Sequence, residues 1–491
     1  MRAAAFAFVW FAALCGLGSD ARAPNILLVV VDDLGNYVGA LGDALAATPN
    51  LDALAQSSAV FSRHHVQSPT CGPSRTSMMF SLRMPQSRVR RFEAFRQKGA
   101  TQELRALPQM LRDHGYSTHS IGKVIDSQQF GPRRNEFIIV PEPCPPRKGG
   151  KMQCSWDTVY SFDELRHPVN NCSASREKRG EPYFSMIRGG DPAVIDHCFA
   201  TNATQLIRSL PADKPWFVAV GFRRPHLPWQ CTQEDFAHFD GVNFPPARSL
   251  VSPSNLRSSK TQLVYPSFEI RRAYKGFAKT TAGRAQVVHA YYACVRQTDR
   301  MIGKLLRDVD FATTAVIVWG DNGFSLGAGG MFGKKALIPE MTGTPLMVRW
   351  PALLAPGERT APVESLDIMP TIAEIAGIPA EKWWAGRTLT NMTGRTQALT
   401  TGELWGPLWF KATGIARNTE DKTTTTVAFV ATEEGALKNQ IGSYRLTSNV
   451  KRFSPLGLRY SGNQIELVGG VNVSWASALY REPQWHTSII K

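Results

Sequence analysis

From Pro24 to about Pro379, short apolar runs alternate with amphipathic segments. The run Asn25–Val31 is continuously apolar and ends at Asp32 and Asp33, which is typical of a strand buried on both faces of a parallel sheet. Four further runs have the same character: 117–121, 216–220, 315–319 and 345–348. The pattern therefore predicts several buried strands in one sheet.

Helical periodicity separates these runs. Leu51 and Leu54 lie at helical spacing after Thr48, a residue type that caps helix starts. The segment 104–114 is also helical in pattern, and 285–309 has the length and periodicity of a long helix packed on a sheet. Strands that alternate with helices predict an α/β fold.

The periodicity breaks in three places. Segments 141–181 and 245–275 are irregular, and we expect surface insertions there that shape a substrate cleft. Beyond about Pro379 the pattern changes to short β-rich runs: 424–431, 443–446 and 464–468. We therefore predict a main domain over 24–380 and a smaller antiparallel C-terminal subdomain over 381–491.

The N-terminus has the features of a secretory signal peptide. Arg2 precedes an apolar run of about fifteen residues, and Ala21-Arg22-Ala23 has the small-x-small form of a cleavage site. That run is too short to span a bilayer, and no later apolar stretch reaches about eighteen residues. A buried N-terminal helix is the alternative. We expect residues 1–23 to be removed and the mature chain, without a transmembrane span, to be secreted or lysosomal.

The amino-acid composition indicates a folded, globular protein with an excess of positive charge. The chain has 491 residues, of which 43% are hydrophobic and 20% charged, which excludes a disordered or fibrous chain and suits two or three folded units. Its formal net charge of +16 favours an acidic partner: nucleic acid, an anionic membrane, or a sulfated or phosphorylated glycan. The sequence contains no recognisable nucleic-acid-binding motif, so we expect no nucleic-acid partner.

Cysteines and glycosylation sequons suit the same secretory route. Asn-x-Ser/Thr sequons occur at Asn171, Asn202, Asn391 and Asn472. Of eight cysteines, Cys15 leaves with the signal peptide and Cys71 is considered below; the others are Cys144, Cys154, Cys172, Cys198, Cys231 and Cys294. These six can pair as disulfides in an oxidising compartment in several connectivities, among which sequence does not choose.

Acidic side chains follow two predicted strands. Asp32 and Asp33 follow the first strand, and Asp321 with Asn322 follows the run 315–319. Ligands of open α/β sheets bind at the carboxyl ends of strands, and an all-oxygen set suits calcium or magnesium better than zinc. The alternative is that each pair only begins a turn, because Asp-Asp and Asp-Asn-Gly are common in turns.

The segment 70–75, Thr-Cys-Gly-Pro-Ser-Arg, favours a ligand-binding site at these strand ends over simple turns. If Cys71 begins a helix, Arg75 lies one turn further on the same face and can hold an anion beside it. The helix N-terminus would add free backbone donors. A buried structural cysteine before a Pro-Ser turn is the alternative. The segment matches the sulfatase signature, in which the cysteine is oxidised to formylglycine.

The chain thus resembles the type I sulfatases, formylglycine-dependent members of the alkaline-phosphatase superfamily, and most nearly the iduronate-2-sulfatase group. The resemblance covers Pro24 to about Ala380 and rests on these motifs in order: Pro24-Asn25-Ile26-Leu27, Asp32-Asp33, Thr48-Pro49-Asn50-Leu51-Asp52, Cys71 to Arg75, Gly122-Lys123-Val124, Arg224-Pro225-His226-Leu227-Pro228-Trp229, Gly320-Asp321-Asn322-Gly323 with Leu326-Gly327, and Asp367-Ile368-Met369-Pro370-Thr371. It implies a large mixed, mostly parallel sheet flanked by helices, with a smaller C-terminal antiparallel-sheet subdomain.

The resemblance also implies a metal site and a modified residue. One calcium ion would be bound by Asp32, Asp33, Asp321, Asn322 and the modified Cys71. The formylglycine-generating enzyme would be a partner during maturation. The aldehyde hydrate carries two hydroxyls, so one can attack sulfur while the second later expels sulfate.

The family assigns roles in turnover to four further residues of this chain. Arg75 would steady the formylglycine, and Lys123 and Lys334 would hold sulfate oxygens. His226 would protonate the departing alcohol. Without the family, isolated lysines are usually solvated surface residues, and a single histidine is more often structural.

Three positions depart from the family pattern. Met79-Phe80-Ser81-Leu82 replaces the usual Leu-Thr-Gly-Arg, which weakens recognition by the modifying enzyme. Asp126 occupies the position of a histidine proposed to accept a proton, and a carboxylate is a weaker base near neutrality. Gly327-Ala328-Gly329-Gly330 replaces Gly-Glu-His-Gly. The expected metal ligands are all retained.

We therefore expect a sulfatase that hydrolyses O-sulfate esters of a sulfated sugar or glycosaminoglycan. Two alternatives stay open. One is a non-catalytic, sulfatase-like extracellular glycan-binding protein, which the three departures would suit. The other is a phosphate or phosphonate ester hydrolase with the same fold. The exact substrate is not determined, because its specificity would lie in segments 141–181 and 245–275.

Overall fold

The computed structural model describes residues 22–87, 89, 104–125, 155–160, 184–244, 281–327, 332–335 and 339–393, the strands 128–130 and 137–139, and six C-terminal strands between 397 and 467. Residues 1–21 of the expected signal peptide, most of insertion 141–181 and all of insertion 245–275 lie outside these residues. Within this part of the chain, the helices lack the combined length and apolar character needed to cross a membrane.

The strands, in chain order, are β1 (Asn25–Val31), β2 (Ala59–Phe61), β3 (His64–His65), β4 (Ser117–Gly122), β5 (Gln128–Phe130), β6 (Phe137–Ile139), β7 (Thr158–Tyr160), β8 (Phe184–Ile187), β9 (Trp216–Phe222), β10 (Trp229–Thr232), β11 (Thr314–Gly320), β12 (Ser325–Leu326), β13 (Phe332–Gly333), β14 (Leu346–Arg349), β15 (Gly357–Arg359), β16 (Val363–Glu364), β17 (Gln397–Leu404), β18 (Phe410–Arg417), β19 (Thr425–Thr432), β20 (Ile441–Leu446), β21 (Pro455–Ser461) and β22 (Gln464–Leu467). The α-helices are Pro49–Gln56, Cys71–Phe80, Met84–Ser87, Leu107–Asp113, Ile195–Ser209, Gln233–Ala237, Thr281–Leu306, Pro339–Thr342 and Ile368–Ile375, and short 3₁₀ helices span Gly39–Leu41, Asp191–Ala193 and Ser365–Asp367.

Eight strands form the main sheet, in the order β15-β2-β14-β11-β1-β9-β4-β7. Neighbouring strands from β11 to β7 are parallel. β14 is antiparallel to both β11 and β2, and β15 is parallel to β2. The prediction of a large mixed, mostly parallel sheet is therefore confirmed, with β14 as its one reversed strand.

The main sheet has an apolar core on each face. On central strand β1, Leu27 and Val29 join the core that includes residues of helices Ile195–Ser209 and Thr281–Leu306. The alternate residues Ile26 and Leu28 join the opposite core, with residues of helices Cys71–Phe80 and Ile368–Ile375. Burial on both faces explains why β1 is a continuous apolar run.

The predicted helix after Thr48 is present, but its cap differs from the prediction. The Thr48 hydroxyl makes no cap bond and instead accepts a hydrogen bond from the Gly39 N–H at 2.9 Å. The Asp299 carboxylate, from the long helix, accepts from the N–H groups of Asn50 at 3.1 Å and Leu51 at 2.8 Å. A charged acceptor from a distant helix thus satisfies the first turn.

The C-terminal strands β17–β22 form a six-stranded antiparallel sheet in which consecutive strands pair. It contains the three predicted β-rich runs, which correspond to β19, β20 and β22. Thr400, in β17, donates a hydrogen bond from its hydroxyl to the Val66 carbonyl at 2.7 Å. The domain boundary near residue 380 stays a prediction.

One disulfide joins two cysteines that the structure describes. Cys231, in β10, is bonded to Cys294, in the long helix. Cys198 is also disulfide-bonded, and its partner lies outside the described residues together with the remaining predicted cysteines. Among the sequons, Asn202 lies in a helix and Asn391 is exposed. Glycosylation stays a prediction.

Candidate active site

The carboxyl ends of adjacent strands bring the predicted site residues together. Asp32 and Asp33 follow β1, Asp321 follows its neighbour β11, and Lys123 follows β4 on the other side. His226 lies four residues beyond the end of β9, which separates β1 from β4. Because these strands are parallel, their following loops leave the sheet at the same edge.

Asp33 adopts a backbone conformation that is unusual for a residue with a side chain. Its φ of 61° lies in the left-handed region, which costs about 1–2 kcal/mol outside glycine. Its N–H donates to Asp321 Oδ1 at 2.9 Å, and its carbonyl accepts from the Tyr291 hydroxyl at 2.6 Å. Contacts from two distant segments therefore hold this turn.

Cys71 is the first residue of helix Cys71–Phe80, as predicted, and every residue of that helix is buried. Its Sγ lies 3.3 Å from Asp32 Oδ1, 3.7 Å from Asp33 Oδ1 and 3.1 Å from Lys334 Nζ. Burial raises the pKa of the Cys71 thiol well above its usual value, and the nearby carboxylates of Asp32 and Asp321 raise it further. The encoded thiol is therefore protonated at neutral pH.

Arg75 is fully buried one turn after Cys71 and connects three loops. Its Nε donates to Asp321 Oδ2 at 2.7 Å, and a terminal nitrogen donates to Asp32 Oδ1 at 3.1 Å. The other terminal nitrogen donates to the carbonyls of Lys123 and Val124. Since arginine offers five donors in a rigid plane, it can fix both acids and the end of β4 at once.

Lys123 and Lys334 are both buried at this site, in contrast to the surface position that is usual for lysine. Lys123 Nζ donates to Asp32 Oδ2 at 2.6 Å, and Lys334 Nζ donates to Asp33 Oδ1 at 2.7 Å. Burial raises the pKa of Asp32, but Lys123, His226, Arg75 and Lys334 outweigh that effect and hold it well below its usual value. Asp32 is therefore ionised at neutral pH.

The orientation of His226 defines which nitrogen can transfer a proton. Its Nδ1 lies 2.6 Å from the Leu227 carbonyl, and since a carbonyl only accepts, Nδ1 carries the hydrogen. Nε2 faces the site, 3.9 Å from Asp33 Oδ2, and the side chain is 17% exposed. Burial lowers the pKa of His226, although Asp32 and Asp33 act in the opposite direction.

Two oxygen atoms at this edge fit a metal ion. Asp33 Oδ2 and Asn322 Oδ1 are buried and have no hydrogen-bond partner among the described residues, which is costly unless something else satisfies them. Ligand atoms of Asp32, Asp33, Cys71 and His226 all lie within 4.8 Å of one another. The free oxygens match the preference of a hard cation such as calcium.

Asp321 differs from the other expected ligands. Its Oδ1 accepts from the Asp33 N–H and its Oδ2 from Arg75. Burial raises its pKa to about 6, with Arg75 opposing and Asp32 and Asp33 adding to the rise. Its backbone carbonyl also accepts from the Ser74 hydroxyl at 2.5 Å, a contact that sequence did not predict. Both oxygens thus already bind protein, although each retains a second lone pair for a cation.

The charges of the site would favour the binding of an anion once a divalent metal ion is bound. Three carboxylates face three basic side chains: Asp32, Asp33, Asp321, Arg75, Lys123 and Lys334. These charges balance, so a divalent ion would make the pocket positive. A positive, water-poor pocket attracts sulfate or phosphate esters.

The altered flank of the signature is well accommodated. Ser81, at the position of the usual glycine, adopts the left-handed conformation that glycine favours, with φ 51°. Its hydroxyl donates to the Leu366 carbonyl at 2.9 Å and accepts from the Gly386 N–H at 3.0 Å. Leu82 is buried in the apolar core. The other two departures, Asp126 and residues 328–330, lie outside the described residues.

Sequence reasoning missed Tyr291. This tyrosine lies within the long helix Thr281–Leu306 and is completely buried. Its hydroxyl bonds to the Asp33 turn. In sequence it is one apolar-face residue among many, and no local signal distinguishes it from a core residue.

Comparisons with known proteins show which family this chain belongs to. The family model described as Sulfatase matches residues 24–378. A sulfatase from Formosa agariphila is 27% identical over 401 residues, which cover 77% of this chain and 74% of that protein. Human iduronate 2-sulfatase is 25% identical over 419 residues, covering 74% and 72% of the two chains.

The fold is shared more widely. The solved phosphonate monoester hydrolase of Agrobacterium radiobacter superposes with a TM-score of 0.64 at 17% identity, covering 88% of each chain. At that identity the likeness concerns the fold alone. The family match covers most of the chain and includes the signature at Cys71 and the strand-end acids. The chain therefore belongs to the sulfatase family and is a hydrolase of sulfate esters.

Proposed function

We propose that this sulfatase removes O-sulfate from a sulfated sugar or glycosaminoglycan, with Cys71 oxidised to formylglycine and one calcium ion bound. The observation that carries the proposal is the position of Cys71, which lies between Asp32, Asp33 and Lys334 at a helix start. The net charge of +16 would attract a polyanionic glycan. A relative named iduronate 2-sulfatase adds support for a sulfated sugar.

The encoded thiol is a poor nucleophile, because burial and neighbouring acids keep it protonated. Formylglycine would supply a hydrated aldehyde whose two hydroxyls serve for attack and for release of sulfate. Calcium, when bound by Asp32, Asp33 and Asn322 with Asp321, would neutralise charge on the sulfate oxygens. Side chains of this protein would carry out the other steps, which are binding of the ester and transfer of a proton.

Those side chains position the ester and move one proton. Lys334, 3.1 Å from Cys71 Sγ, and Lys123 would bind sulfate oxygens, and Arg75 keeps Asp32 and Asp321 in place. Because Nδ1–H donates to the Leu227 carbonyl, only the imidazolium form of His226 has a hydrogen on Nε2. This form, which Asp32 and Asp33 favour, would donate that hydrogen to the oxygen of the departing alcohol. Charge stabilisation by fixed groups in a buried site is the largest contribution expected here.

Burial of the signature implies when modification takes place. Cys71 is 2% exposed and all ten residues of its helix are buried, so a modifying enzyme cannot reach the thiol in the folded protein. We propose that the formylglycine-generating enzyme acts before folding, in the secretory pathway. The chain would then be secreted or delivered to lysosomes after removal of residues 1–23.

The test is the mass of the tryptic peptide 64–75 from protein secreted by a host that has the formylglycine-generating enzyme. We expect the aldehyde or its hydrate at Cys71, together with sulfate release from sulfated disaccharides that a Cys71→Ala variant does not show. An unmodified thiol with no sulfate release would contradict the proposal and favour a non-catalytic glycan-binding protein.

A second candidate is the hydrolysis of phosphonate or phosphate esters. The structural likeness to a phosphonate monoester hydrolase at a TM-score of 0.64 favours testing it. Parallel assays with matched aryl sulfate, phosphonate and phosphate esters separate the two activities. We expect sulfate turnover to exceed phosphonate turnover, and the reverse order would favour the second candidate.

A further inference from the structure

The turn that carries Asp33 depends on a residue far away in sequence. The Gly35 N–H donates to the Tyr291 hydroxyl at 3.1 Å, and that hydroxyl lies 2.6 Å from the Asp33 carbonyl. Since a phenol has one hydrogen and an N–H can only donate, the hydroxyl must donate to Asp33. One side-chain group thus closes both ends of the Asp33–Gly35 turn.

The ring of Tyr291 contacts two other loops of the site. Phe324, two residues after Asn322, stacks on it with ring centroids 5.4 Å apart and an interplanar angle of 23°. Trp229, three residues after His226, meets it edge-on at 6.0 Å. Tyr291 therefore packs against the loops that carry Asp33, Asn322 and His226.

The strained backbone of Asp33 needs a contact such as the Tyr291 hydroxyl to hold it in place. Asp33 is left-handed, a conformation that persists only where the surroundings impose it. Its carboxylate accepts from Asn322 and Lys334 and approaches Cys71 Sγ. If the turn relaxed, the buried oxygen Asp33 Oδ2 would lose its place at the expected metal site.

We propose that Tyr291 is a positioning residue for the metal site: its hydroxyl imposes the left-handed turn that orients the Asp33 carboxylate, which would bind calcium. The inference rests on the proposed function, because it assumes that Asp33 binds calcium. Removing such an outer hydrogen-bond partner typically weakens metal binding about 10- to 100-fold.

The test compares Tyr291→Phe with Tyr292→Phe. The adjacent Tyr292 is 5% exposed and its hydroxyl donates to Asp43 Oδ2 at 2.6 Å, so each variant loses one hydrogen-bonded hydroxyl. Calcium affinity is measured by isothermal titration calorimetry on the metal-stripped proteins. We expect the calcium Kd to rise about 10- to 100-fold in Tyr291→Phe and to stay unchanged in Tyr292→Phe.

Each other outcome counts against the inference. Equal Kd values for wild type and Tyr291→Phe, or equal losses in both variants, would overturn the role of Tyr291 while leaving the proposed function in place. A wild-type protein that binds no calcium would overturn both. If Tyr291→Phe does not fold, Phe324→Leu, which keeps the hydroxyl but removes the stacked ring, is expected to raise the Kd by a smaller factor. An unchanged Kd in that variant would then overturn the inference.

Discussion

At the scale of single residues, His226 allows the clearest test of a role in turnover. Its Nδ1 is bound to the Leu227 carbonyl and its Nε2 faces Asp33. For a sugar sulfate, whose alkoxide is a poor leaving group, we expect His226→Ala to lower kcat about 100- to 10,000-fold with little change in KM. Steady-state kinetics on a sulfated disaccharide measures this.

The control for this prediction is a substrate with a stable leaving group. 4-Nitrophenyl sulfate releases a phenolate that needs little protonation, so the same variant should lose far less activity on it. An equal loss on both substrates would show that His226 binds or orients the ester instead of protonating the leaving alcohol. Unchanged turnover on the sugar would remove it from the reaction altogether.

At the scale of secondary structure, the helix Pro49–Gln56 is coupled to the long helix through Asp299. This fully buried carboxylate accepts hydrogen bonds from Asn50 and Leu51. Burial raises the pKa of Asp299 to about 6 from 3.8, against the opposing effect of those hydrogen bonds. The ionised form therefore costs the folded state about 3 kcal/mol.

The sign of the pH effect follows from that raised pKa. Between pH 3.8 and about 6 the folded state holds a proton on Asp299 that the unfolded state releases, so this residue favours folding more as the pH falls through 6. We expect Asp299→Asn to remove this contribution. Urea unfolding of both proteins at pH 5 and pH 7 measures the difference in pH dependence.

An exposed acid whose pKa is shifted in the opposite direction provides a control. A hydrogen bond from Thr313, aided by the Ala312 N–H, lowers the pKa of Asp310. Its contribution to stability is therefore lost only as the pH falls through 3.8 and below, so Asp310→Asn should leave the difference in stability between pH 5 and pH 7 unchanged. A pH dependence that changes in Asp310→Asn, or that does not change in Asp299→Asn, would contradict the pKa assignments.

At the scale of the whole molecule, the Cys231–Cys294 disulfide joins β10 to the long helix across 63 positions of sequence. It connects the strand that follows the His226 loop to the helix that carries Tyr291. Closing a loop of that length restricts the unfolded chain by about 4 kcal/mol in the chain-entropy model. We expect the double variant Cys231→Ala/Cys294→Ala to lose stability of that order.

The measurement is the urea midpoint of unfolding with the other disulfides left oxidised. Cys231 and Cys294 are both fully buried, so the measured loss of stability also includes a small contribution from the packing of the two sulfur atoms. A midpoint equal to that of the wild type would show that packing alone holds β10 on the helix. Sulfate turnover measured on the same variant shows whether the His226 loop needs this cross-link.

Local patterns in the sequence were sufficient for most of the fold and for the expectation that the acids and Cys71 lie close together, whereas Lys123, Lys334 and His226 were expected only from the family resemblance. The apolar run Asn25–Val31 required a strand buried on both faces, and the acids directly after it had to emerge at a sheet edge. The signature around Cys71 placed Arg75 one helical turn further, where the structure has it. Such features depend on period and short spacing, which neighbouring residues determine among themselves.

Contacts between distant segments were decided only by the tertiary structure. The pairing of Cys231 with Cys294, the capping of Pro49–Gln56 by Asp299 and the bond of Tyr291 to the Asp33 turn all join residues that local periodicity treats as independent. Thr48 was a sound candidate for a cap, yet a buried carboxylate brought in by packing is the stronger acceptor. The order of strands in the sheet determines which loops lie next to one another, and therefore which of these contacts form. The sequence of one segment does not specify its distant partner, so local patterns could not predict these contacts.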